Sequence, residues 1–324
     1  MDNEKAWLVR RIVLSLLFLV IVAVPLYPEL YGLDEVTPFT QLVAFRPQGL
    51  VLVFTVALLM LIRKGWRIAA GLVAALTLIG AGLTLPRLTG DPDSPPADTR
   101  VLTIMVANVL GGGANAGAVA ALIRERKPDI VSLPEAQVDV REEIRAQLQD
   151  LSYAGYTEQP SNAVESATSV LVAPSLGAVQ VKPDLPTSFG NLMITGGNLG
   201  ELRLIAYHGF PPLPDDVPPW KHDLTQVRRW CAQDPPTIVA GDFNATLDHA
   251  DFRWALASNC HSVGPSVGGG LKGTWPSDRP AIARTQIDHV LATRTIRPLR
   301  FATYEIAGTD HLAVIATVAV PKAS

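Results

Sequence analysis

Charged residues are scarce in this chain of 324 residues: Asp, Glu, Lys and Arg together make up 18%, against 48% hydrophobic residues. This balance excludes an ordinary soluble composition for the whole chain and is typical of proteins with a membrane part. The apolar excess lies in residues 1–86, whereas the remainder has the composition of a soluble domain. The chain therefore predicts a membrane segment joined to one larger globular unit.

A surplus of basic residues is also missing. From Val101 to Ser324 there are 18 Lys and Arg against 22 Asp and Glu, so the formal charge is 18 − 22 = −4. Nonspecific affinity for nucleic acid comes largely from Lys and Arg that neutralise phosphates. Duplex nucleic acid is therefore not the expected partner, although the count leaves room for a local basic patch. Nothing in the sequence implies a protein partner.

Only two cysteines are present, Cys231 and Cys260. An oxidising exterior would permit a disulfide between them. Their distance cannot be read from the sequence, so both the bonded and the free state stay open.

Three long apolar runs stand near the amino terminus, at Ile12–Tyr27, at Leu50–Ile62 with an apolar approach from Leu42, and at Ile68–Leu85. Crossing the hydrocarbon of a bilayer takes about 20 helical residues. The first and third runs are long enough, and the middle run needs flanking residues or local thinning. We expect three transmembrane helices. A cleaved signal peptide is the alternative for the first run, but Pro25 to Glu29 lacks a small-residue cleavage site.

Basic residues near the runs predict the orientation, because loops rich in Lys and Arg tend to stay cytoplasmic. The loop from Pro28 to Gln48 has Arg46 as its one basic residue. Six basic residues flank the other ends of the runs: Lys5, Arg10, Arg11, Arg63, Lys64 and Arg67. Three crossings from a cytoplasmic amino terminus put everything after Pro86 outside the cytoplasmic membrane. The conclusion reverses if the middle run does not cross.

A polar, Pro-rich segment from Arg87 to Arg100 separates the two parts of the chain. Such a composition suits an extended tether. We therefore divide the chain into a membrane anchor at 1–86, a linker at 87–100 and a catalytic domain at 101–324.

Short β-prone runs in the outer domain each lead into polar residues. Asn108 follows the run Val101–Ala107, Glu135 follows Ile130–Leu133, and His208 follows Leu202–Tyr207. Asp242 and Asn244 follow Thr237–Ala240, Asp288 lies within Ile287–Leu291, and Asp310 and His311 precede Leu312–Val320. Short strands with a few helices, such as Ala116–Arg126, favour sheets packed face to face, but periodicity does not exclude a doubly wound sheet. Polar residues at strand ends predict one shared cleft.

This ordered set of residues resembles the endonuclease/exonuclease/phosphatase superfamily over nearly all of Val101–Val320. The most specific pieces are Gly-Asp-Phe-Asn at 241–244, Ile-Asp-His-Val-Leu at 287–291, and Thr-Asp-His at 309–311, where the family usually has Ser-Asp-His. The resemblance implies an α/β (α+β) fold, a four-layer αββα sandwich of the DNase I-like type with two mixed sheets inside. It also implies cleavage of phosphodiesters or phosphomonoesters with a divalent metal.

The resemblance further implies a role for each residue. Glu135 is the leading metal ligand, and Asn108 and Asp310 contribute directly or through water. Mg²⁺ is the expected ion, with Mn²⁺ as the alternative, because both accept oxygen ligands. Asp242 and Asn244 would orient the attacking water, and His208 would bind a nonbridging phosphoryl oxygen. His311, paired with Asp288, would act as general acid or base. Whether Asp242 or His311 removes the proton from water stays open.

Trp275 belongs to a segment that borders the cleft in this superfamily. The indole is therefore a candidate contact for the leaving group of the substrate. Packing in the core is the equally weighted alternative.

The substrate has to be argued from context, because the fold does not choose it. A tether to the membrane raises the effective concentration of the cleft near lipid head groups, which favours a membrane lipid or a lipid-linked phosphate. The layout of anchor and domain resembles the VanJ-type proteins linked to teicoplanin resistance, which implies polyprenyl phosphate or pyrophosphate chemistry in the cell envelope. The alternatives are an extracytoplasmic nuclease or phosphodiesterase, and a noncatalytic binding protein.

Overall fold

The computed structural model describes residues 2–90, 94–214 and 216–322. The chain divides into two compact units. The first comprises the residues up to Pro86 together with Asp248–Ala250, and the second runs from Arg87 to Leu247 and from Asp251 onward. Of the predicted linker at 87–100, residues 91–93 lie outside the described residues, and the first strand begins at Thr99. The three-part domain division stays a prediction.

The first unit is helical, with α1 (Asp2–Leu26), α2 (Phe39–Val43), α3 (Arg46–Met60) and α4 (Arg67–Thr84). Two stretches, Lys5–Leu26 and Lys64–Leu88, are long and apolar enough to cross a membrane by length and composition. The middle run is apolar but too short to meet this criterion, so the third of the three expected transmembrane helices stays a prediction. Helix α2 ends at Val43 and α3 starts anew at Arg46, so the apolar approach from Leu42 does not lengthen α3, which has 15 residues.

Small residues form the inner face of α4. Its buried positions are Ala69, Ala70, Val73, Thr77, Gly80 and Thr84. A Cβ at Gly80 would collide with the side chains of Tyr27 and Leu50, so glycine permits this close approach. The outward side chains are apolar. In the most apolar part of Lys5–Leu26 only 11% of the residues are buried, and in that of Lys64–Leu88 33% are buried. A core helix of a soluble protein would instead be mostly buried.

The described residues of the second unit form twelve strands. In chain order they are β1 (Thr99–Val106), β2 (Ile130–Pro134), β3 (Ala154–Glu158), β4 (Thr168–Val172), β5 (Val179–Lys182), β6 (Asn191–Gly196), β7 (Arg203–His208), β8 (Thr237–Asp242), β9 (Cys260–Ser262), β10 (Asp288–Thr293), β11 (Arg297–Glu305) and β12 (Leu312–Pro321). They form two six-stranded mixed sheets, with the orders β11-β12-β1-β2-β4-β3 and β5-β6-β7-β8-β10-β9.

Three apolar clusters define the layers of this unit. Alternate residues of β1, such as Ile104, face the other sheet, whereas Met105 faces outward. Helices α5 (Ala116–Arg126) and α6 (Val138–Ala146) cover the outer face of the first sheet, and α7 (Val217–Ala232) and α8 (Ala250–Leu256) cover that of the second. A short helix, α9 (Val263–Ser266), follows β9. The arrangement is the four-layer sandwich that the superfamily resemblance implied.

Strand register brings the polar strand ends to one edge. Strands β1 and β2 are parallel, as are β7 and β8, so their carboxyl ends share an edge of each sheet. Strands β10 and β12 run antiparallel to β8 and β1, which brings their amino ends to the same edge. Asp288, for example, lies directly opposite Asp242. The sheet topology therefore brings together residues that are more than 200 positions apart in sequence, such as Asn108 and Thr309.

Cys231 of α7 and Cys260 of β9 form a disulfide, with their Cα atoms 5.4 Å apart. Both residues are buried. The bond ties the covering helix to an edge strand of the second sheet, and of the two states left open by the sequence the bonded one is present.

Candidate active site

Asn108 joins the two sheets at the edge where the strands converge. Its Nδ2 donates to Glu135 Oε1 at 2.9 Å and to Asp242 Oδ2 at 3.0 Å. Its Oδ1 accepts from the backbone N–H of Leu110 at 2.9 Å. The amide is therefore fully engaged, and it acts in this arrangement as a bridge between two carboxylates.

Two of the predicted site residues have left-handed backbone conformations. Glu135 has φ 60° and Asn244 has φ 47°. Asparagine adopts this region more readily than glutamate, and such strained residues cluster at functional sites. The Glu135 N–H donates to Ala167 O at 2.8 Å, and Asn244 Nδ2 donates to Gly209 O at 3.0 Å. These bonds hold both side chains where the strands end.

The Gly-Asp-Phe-Asn motif ends β8. A Cβ at Gly241 would collide with the backbone oxygen of Tyr207 on the neighbouring strand, so only glycine fits there. Asp242 Oδ1 accepts from the Asn244 N–H at 2.8 Å, which closes the turn, and Phe243 points into the core. The motif thus combines a close strand approach with an immobilised carboxylate.

His311 and Asp288 form a hydrogen-bonded pair. His311 Nδ1 donates to Asp288 Oδ2 at 2.9 Å, and His311 Nε2 lies 3.8 Å from Asp242 Oδ2. The Thr309 hydroxyl donates to Asn108 O at 2.8 Å and accepts from the His311 N–H at 3.2 Å. Threonine thus supplies the hydroxyl that serine provides in the usual form of the motif. The His311 ring is oriented by the carboxylate of Asp288, and its Nε2 faces those of Asp242 and Asp310, each at 3.8 Å.

Burial and neighbouring charges separate the protonation states of this group. Burial and the charge of Asp288 raise the pKa of Asp242 to about 7. Burial lowers the pKa of His311, but the carboxylates of Asp288 and Asp242 outweigh it and raise that pKa to about 10. Burial, aided by the charge of His311, lowers the pKa of His208 to about 3. At neutral pH His311 is therefore charged and His208 is neutral.

His208 occupies the other side of Asp242. Its Nε2 lies 4.0 Å from Asp242 Oδ2. The ring of Phe189 packs against the imidazole with a centroid distance of 4.8 Å. A neutral imidazole in this position can donate a hydrogen bond without carrying charge.

Trp275 holds Asp310. The indole Nε1 donates to Asp310 Oδ2 at 2.9 Å, and the Ser277 N–H donates to Asp310 O at 2.7 Å. Asp310 Oδ1 is buried and has no hydrogen-bond partner among the described residues. This contact orients a predicted metal ligand, whereas a contact of Trp275 with the leaving group stays a prediction.

Comparison with known proteins identifies the family of this chain. Residues 105–311, more than half of the chain, match the model of the Endonuclease/Exonuclease/phosphatase family. The chain belongs to this family. No curated protein matches the sequence.

Solved structures with the same fold have low sequence identity. A D. rerio TDP2 humanized by 14 mutations is 18% identical, with a TM-score of 0.56 over 67% of this chain and 98% of that chain. An endonuclease/exonuclease/phosphatase from Beutenbergia cavernae DSM 12333 is 19% identical, with a TM-score of 0.52 over 69% and 72%. The D. rerio TDP2 complexed with single strand DNA product is 18% identical, with a TM-score of 0.53 over 67% and 98%. At these identities the likeness concerns the fold alone.

The carboxylates of this endonuclease/exonuclease/phosphatase site fit a hard divalent cation. Glu135 and Asp310 offer oxygen ligands beside the amide of Asn108, the donor type that Mg²⁺ prefers. Burial raises the pKa of Glu135, and the nearby charge of Asp310 adds to that effect. Asp310 Oδ1 accepts no hydrogen bond among the described residues and has His311 Nε2 at 3.8 Å, so it has acceptor capacity that a cation would satisfy.

A second group at the site could also hold a metal. Ligand atoms of Asp242, Asp288 and His311 lie within 4.8 Å of one another. His311 Nδ1 is already hydrogen-bonded to Asp288 Oδ2, however, which is the arrangement of an oriented acid–base pair. The geometry therefore favours a cation on the side of Glu135 and proton transfer on the side of His311, and both roles stay predictions.

The sequence reasoning missed residues that support this endonuclease/exonuclease/phosphatase site. Thr274 Oγ1 accepts from the N–H groups of Ile287 and Asp288, and no motif marks it. Asp223 is a fully buried carboxylate on α7. A signal existed for Asp223, because it stands three residues after Trp220 within the apolar stripe of an amphipathic helix.

Proposed function

We propose that the protein is a divalent-metal-dependent phosphoesterase that hydrolyses a lipid-linked phosphate or pyrophosphate at the outer face of the cytoplasmic membrane. One observation supports hydrolysis above all others. Glu135, Asp242 and His311 converge around the Asn108 amide at one edge of both sheets. A noncatalytic binding protein would not need an acid–base pair with separated pKa values beside a cation site.

Each side chain of the site has its own role in the proposed hydrolysis. Asp242 accepts the proton of the attacking water, since its pKa of about 7 lets it act as a base near neutral pH. Charged His311 donates its Nε2 proton toward the leaving oxygen, because with a pKa of about 10 it is already protonated and cannot serve as the base. Neutral His208 donates to a nonbridging oxygen. Asn244 fixes Asp242 through its backbone N–H.

Glu135 and Asp310, with Asn108 beside them, would hold Mg²⁺ or Mn²⁺. When bound, the cation polarises a phosphoryl oxygen and offsets developing negative charge.

Two observations support a catalytic unit outside the membrane. Two stretches are long and apolar enough to span it, and their apolar side chains are exposed. The disulfide between Cys231 and Cys260 is expected in an oxidising compartment and is rare in the cytosol. Helix α3 would complete a third crossing if flanking basic residues such as Arg63 extend to the interface. The proposed arrangement is a multi-pass anchor, as in the VanJ-type layout.

Exposed apolar side chains at the active-site edge support a lipid substrate. Among the described residues from Arg87 onward, five of the eight large exposed hydrophobic side chains lie at that edge, in the connections after or before strands or at the start of α6: Leu110, Val138, Val164, Leu213 and Ile282. Leu110, Val138 and Leu213 follow the strands that lead to Asn108, Glu135 and His208, and Ile282 precedes Asp288. Val164 precedes β4, whose first residue pairs with the last residue of β2 at the same edge. Exposed apolar groups around a polar cleft suit the hydrocarbon part of a lipid-linked phosphate.

A nuclease is the second candidate, favoured by the fold shared with a D. rerio TDP2 that was solved with a single strand DNA product. The formal charge of −4 over Val101–Ser324 disfavours it.

The two candidates are separated by offering the purified full chain in detergent a polyprenyl pyrophosphate and a single-stranded DNA at equal concentration, with Mg²⁺, Mn²⁺ or chelator. We expect metal-dependent release of inorganic phosphate from the lipid and little cleavage of DNA. Faster turnover of DNA would reject the lipid substrate while leaving the hydrolytic site intact.

A further inference from the structure

Asp223 is a buried carboxylate that the proposed chemistry does not use. It lies on α7 and is 0% exposed. Its Oδ1 accepts from the Ser188 N–H at 2.9 Å and from Ser188 Oγ at 3.1 Å, and its Oδ2 accepts from the Phe210 N–H at 3.0 Å. One carboxylate therefore ties together two loops that are 22 residues apart in sequence.

Both loops carry an aromatic ring beside His208. Phe189 follows Ser188, and its ring packs on the imidazole of His208 with a centroid distance of 4.8 Å. Phe210 lies two residues after His208, and its ring contacts Phe189 at 5.2 Å between centroids. The rings of Phe189 and Phe210 form an aromatic wall. The hydrogen bonds that Asp223 accepts from Ser188 and from the Phe210 N–H fix the two loops that carry these rings.

The chemistry of these bonds requires a carboxylate. All three donors are neutral, and burial raises the pKa of Asp223, so the buried group is costly to retain. A carboxylate can accept on both sides, whereas an asparagine of the same shape would direct its NH2 group at one of the donors. Asp223→Asn therefore breaks one side of the connection with minimal change in volume.

We propose that Asp223 is a positioning residue for phosphoryl binding, which acts by holding the Phe189–Phe210 wall so that His208 Nε2 faces the reacting group beside Asp242. The inference rests on the proposed hydrolytic function. A misplacement of about 1 Å in a group that binds the transition state can cost roughly 100-fold in rate.

A double-mutant cycle with His208 tests the proposal. We expect Asp223→Asn to lower kcat/KM about 10- to 100-fold in the wild-type background and less than about 2-fold in a His208→Ala background, because the loss runs through His208. Equal losses in both backgrounds would overturn the proposal. Ser188→Ala, which removes one of the three bonds and is milder for folding, should give a smaller loss with the same dependence on His208.

Asp129 offers a matched control. It is also a carboxylate that accepts from one backbone N–H, that of Thr103 at 2.9 Å, and from one serine hydroxyl, that of Ser175 at 3.2 Å. It precedes β2, at the sheet edge remote from the site. Asp129→Asn should leave kcat/KM within about 2-fold of wild type, and a loss equal to that of Asp223→Asn would mean a general structural effect.

An NMR titration of His208 separates failure of this inference from failure of the proposed function. In full chain labelled at histidine, the His208 ring should stay neutral to acidic pH in the wild type and should titrate closer to its ordinary pKa in Asp223→Asn, because the wall no longer shields it. An unchanged His208 titration would contradict the positioning role, even if no phosphoester tested is turned over. Absence of turnover alone would instead remove the proposed function.

Discussion

Asp242 and His311, the proposed base and acid, lie in one cluster of polar side chains. Their protonation sets the pH dependence of the reaction. Asp242 must be deprotonated to act as a base, and its pKa is raised to about 7. His311 must stay protonated to act as an acid, and its pKa is raised to about 10. We predict that kcat/KM rises with pH through about 7 and falls through about 10.

The assignment of these two limbs can be checked by substitution. In a pH series of initial rates, His311→Gln should be slower and should lack the alkaline limb, because the group that titrates there is gone. Persistence of that limb in His311→Gln would show that another group is the acid.

His289 is buried beside Asp288, and its protonation makes the stability of the fold depend on pH. Its Nε2 faces the carbonyl oxygens of Ala245 and Gln286 at 3.0 and 3.1 Å, so this nitrogen carries the proton of a neutral ring. Burial lowers the pKa of His289 to about 4. A depressed pKa means that the unfolded state binds the proton more readily, so the stability is present above pH 6.5 and is lost as the pH falls towards 4.

For one histidine whose pKa is about 4 in the folded state and 6.5 in the unfolded state, the free energy of unfolding is lower at pH 5 than above pH 7 by roughly 2 kcal/mol. We predict that the free energy of unfolding falls between pH 7 and pH 5, and that the fall is smaller by about that amount in His289→Gln. Denaturant titrations of the full chain in detergent, followed by tryptophan fluorescence, measure this difference. An identical pH response in both proteins would refute it.

At the scale of elements, the strands were predictable where a short apolar run ends at a polar residue. The runs predicted at Ile130–Leu133 and Leu312–Val320 are β2 and β12, each one residue longer at its carboxyl end. The helix predicted at Ala116–Arg126 is α5, with Asn115 accepting from the Ala118 N–H at its start. Such elements carry their signals locally, in alternation and in caps.

Other features of the fold have no local signal. The pairing of β8 with β10 and the bridge formed by Asn108 depend on register between distant segments. The sequence predicted that these polar residues would lie close together. It did not predict that the Asn108 amide would lie between the carboxylates of Glu135 and Asp242. The contact between Trp275 and Asp310 likewise depends on two loops that are 35 residues apart.

The loop after β1 is predicted to contact the lipid. Leu110 is 44% exposed and has φ 50°, so Leu110→Asn removes the apolar surface with a residue that tolerates this backbone. Burying a leucine side chain is worth about 1.5–3 kcal/mol, so we expect about a 10-fold loss on lipid vesicles and no change on a soluble ester. Paired assays on both substrates measure this.

Val101→Thr serves as the control for Leu110→Asn. Val101 is 48% exposed and lies near the start of β1, away from the site edge. It should behave as wild type on both substrates. Equal losses of Leu110→Asn on vesicles and on the soluble ester would argue against lipid contact.

At the scale of the whole molecule, the orientation of the chain is the open prediction. Residue Ser94 lies between the apolar stretches and β1, and both native cysteines are engaged in the disulfide. A Ser94→Cys variant therefore has one reactive thiol. We predict that an impermeant maleimide labels it in intact cells to the same extent as after lysis. Labelling that requires lysis would put the catalytic unit on the cytoplasmic side and would leave the site chemistry unchanged.

The central claim concerns the whole catalytic unit: residues from both sheets, held by Asn108, hydrolyse a phosphate ester with a divalent cation. Its most direct test is the rate of phosphate release from a simple model ester by the purified chain with Mg²⁺, with chelator, and after Asp242→Asn. We predict turnover with Mg²⁺, loss with chelator, and a decrease of about 100-fold or more in the variant at unchanged melting temperature. Turnover that survives both chelator and Asp242→Asn would contradict the account.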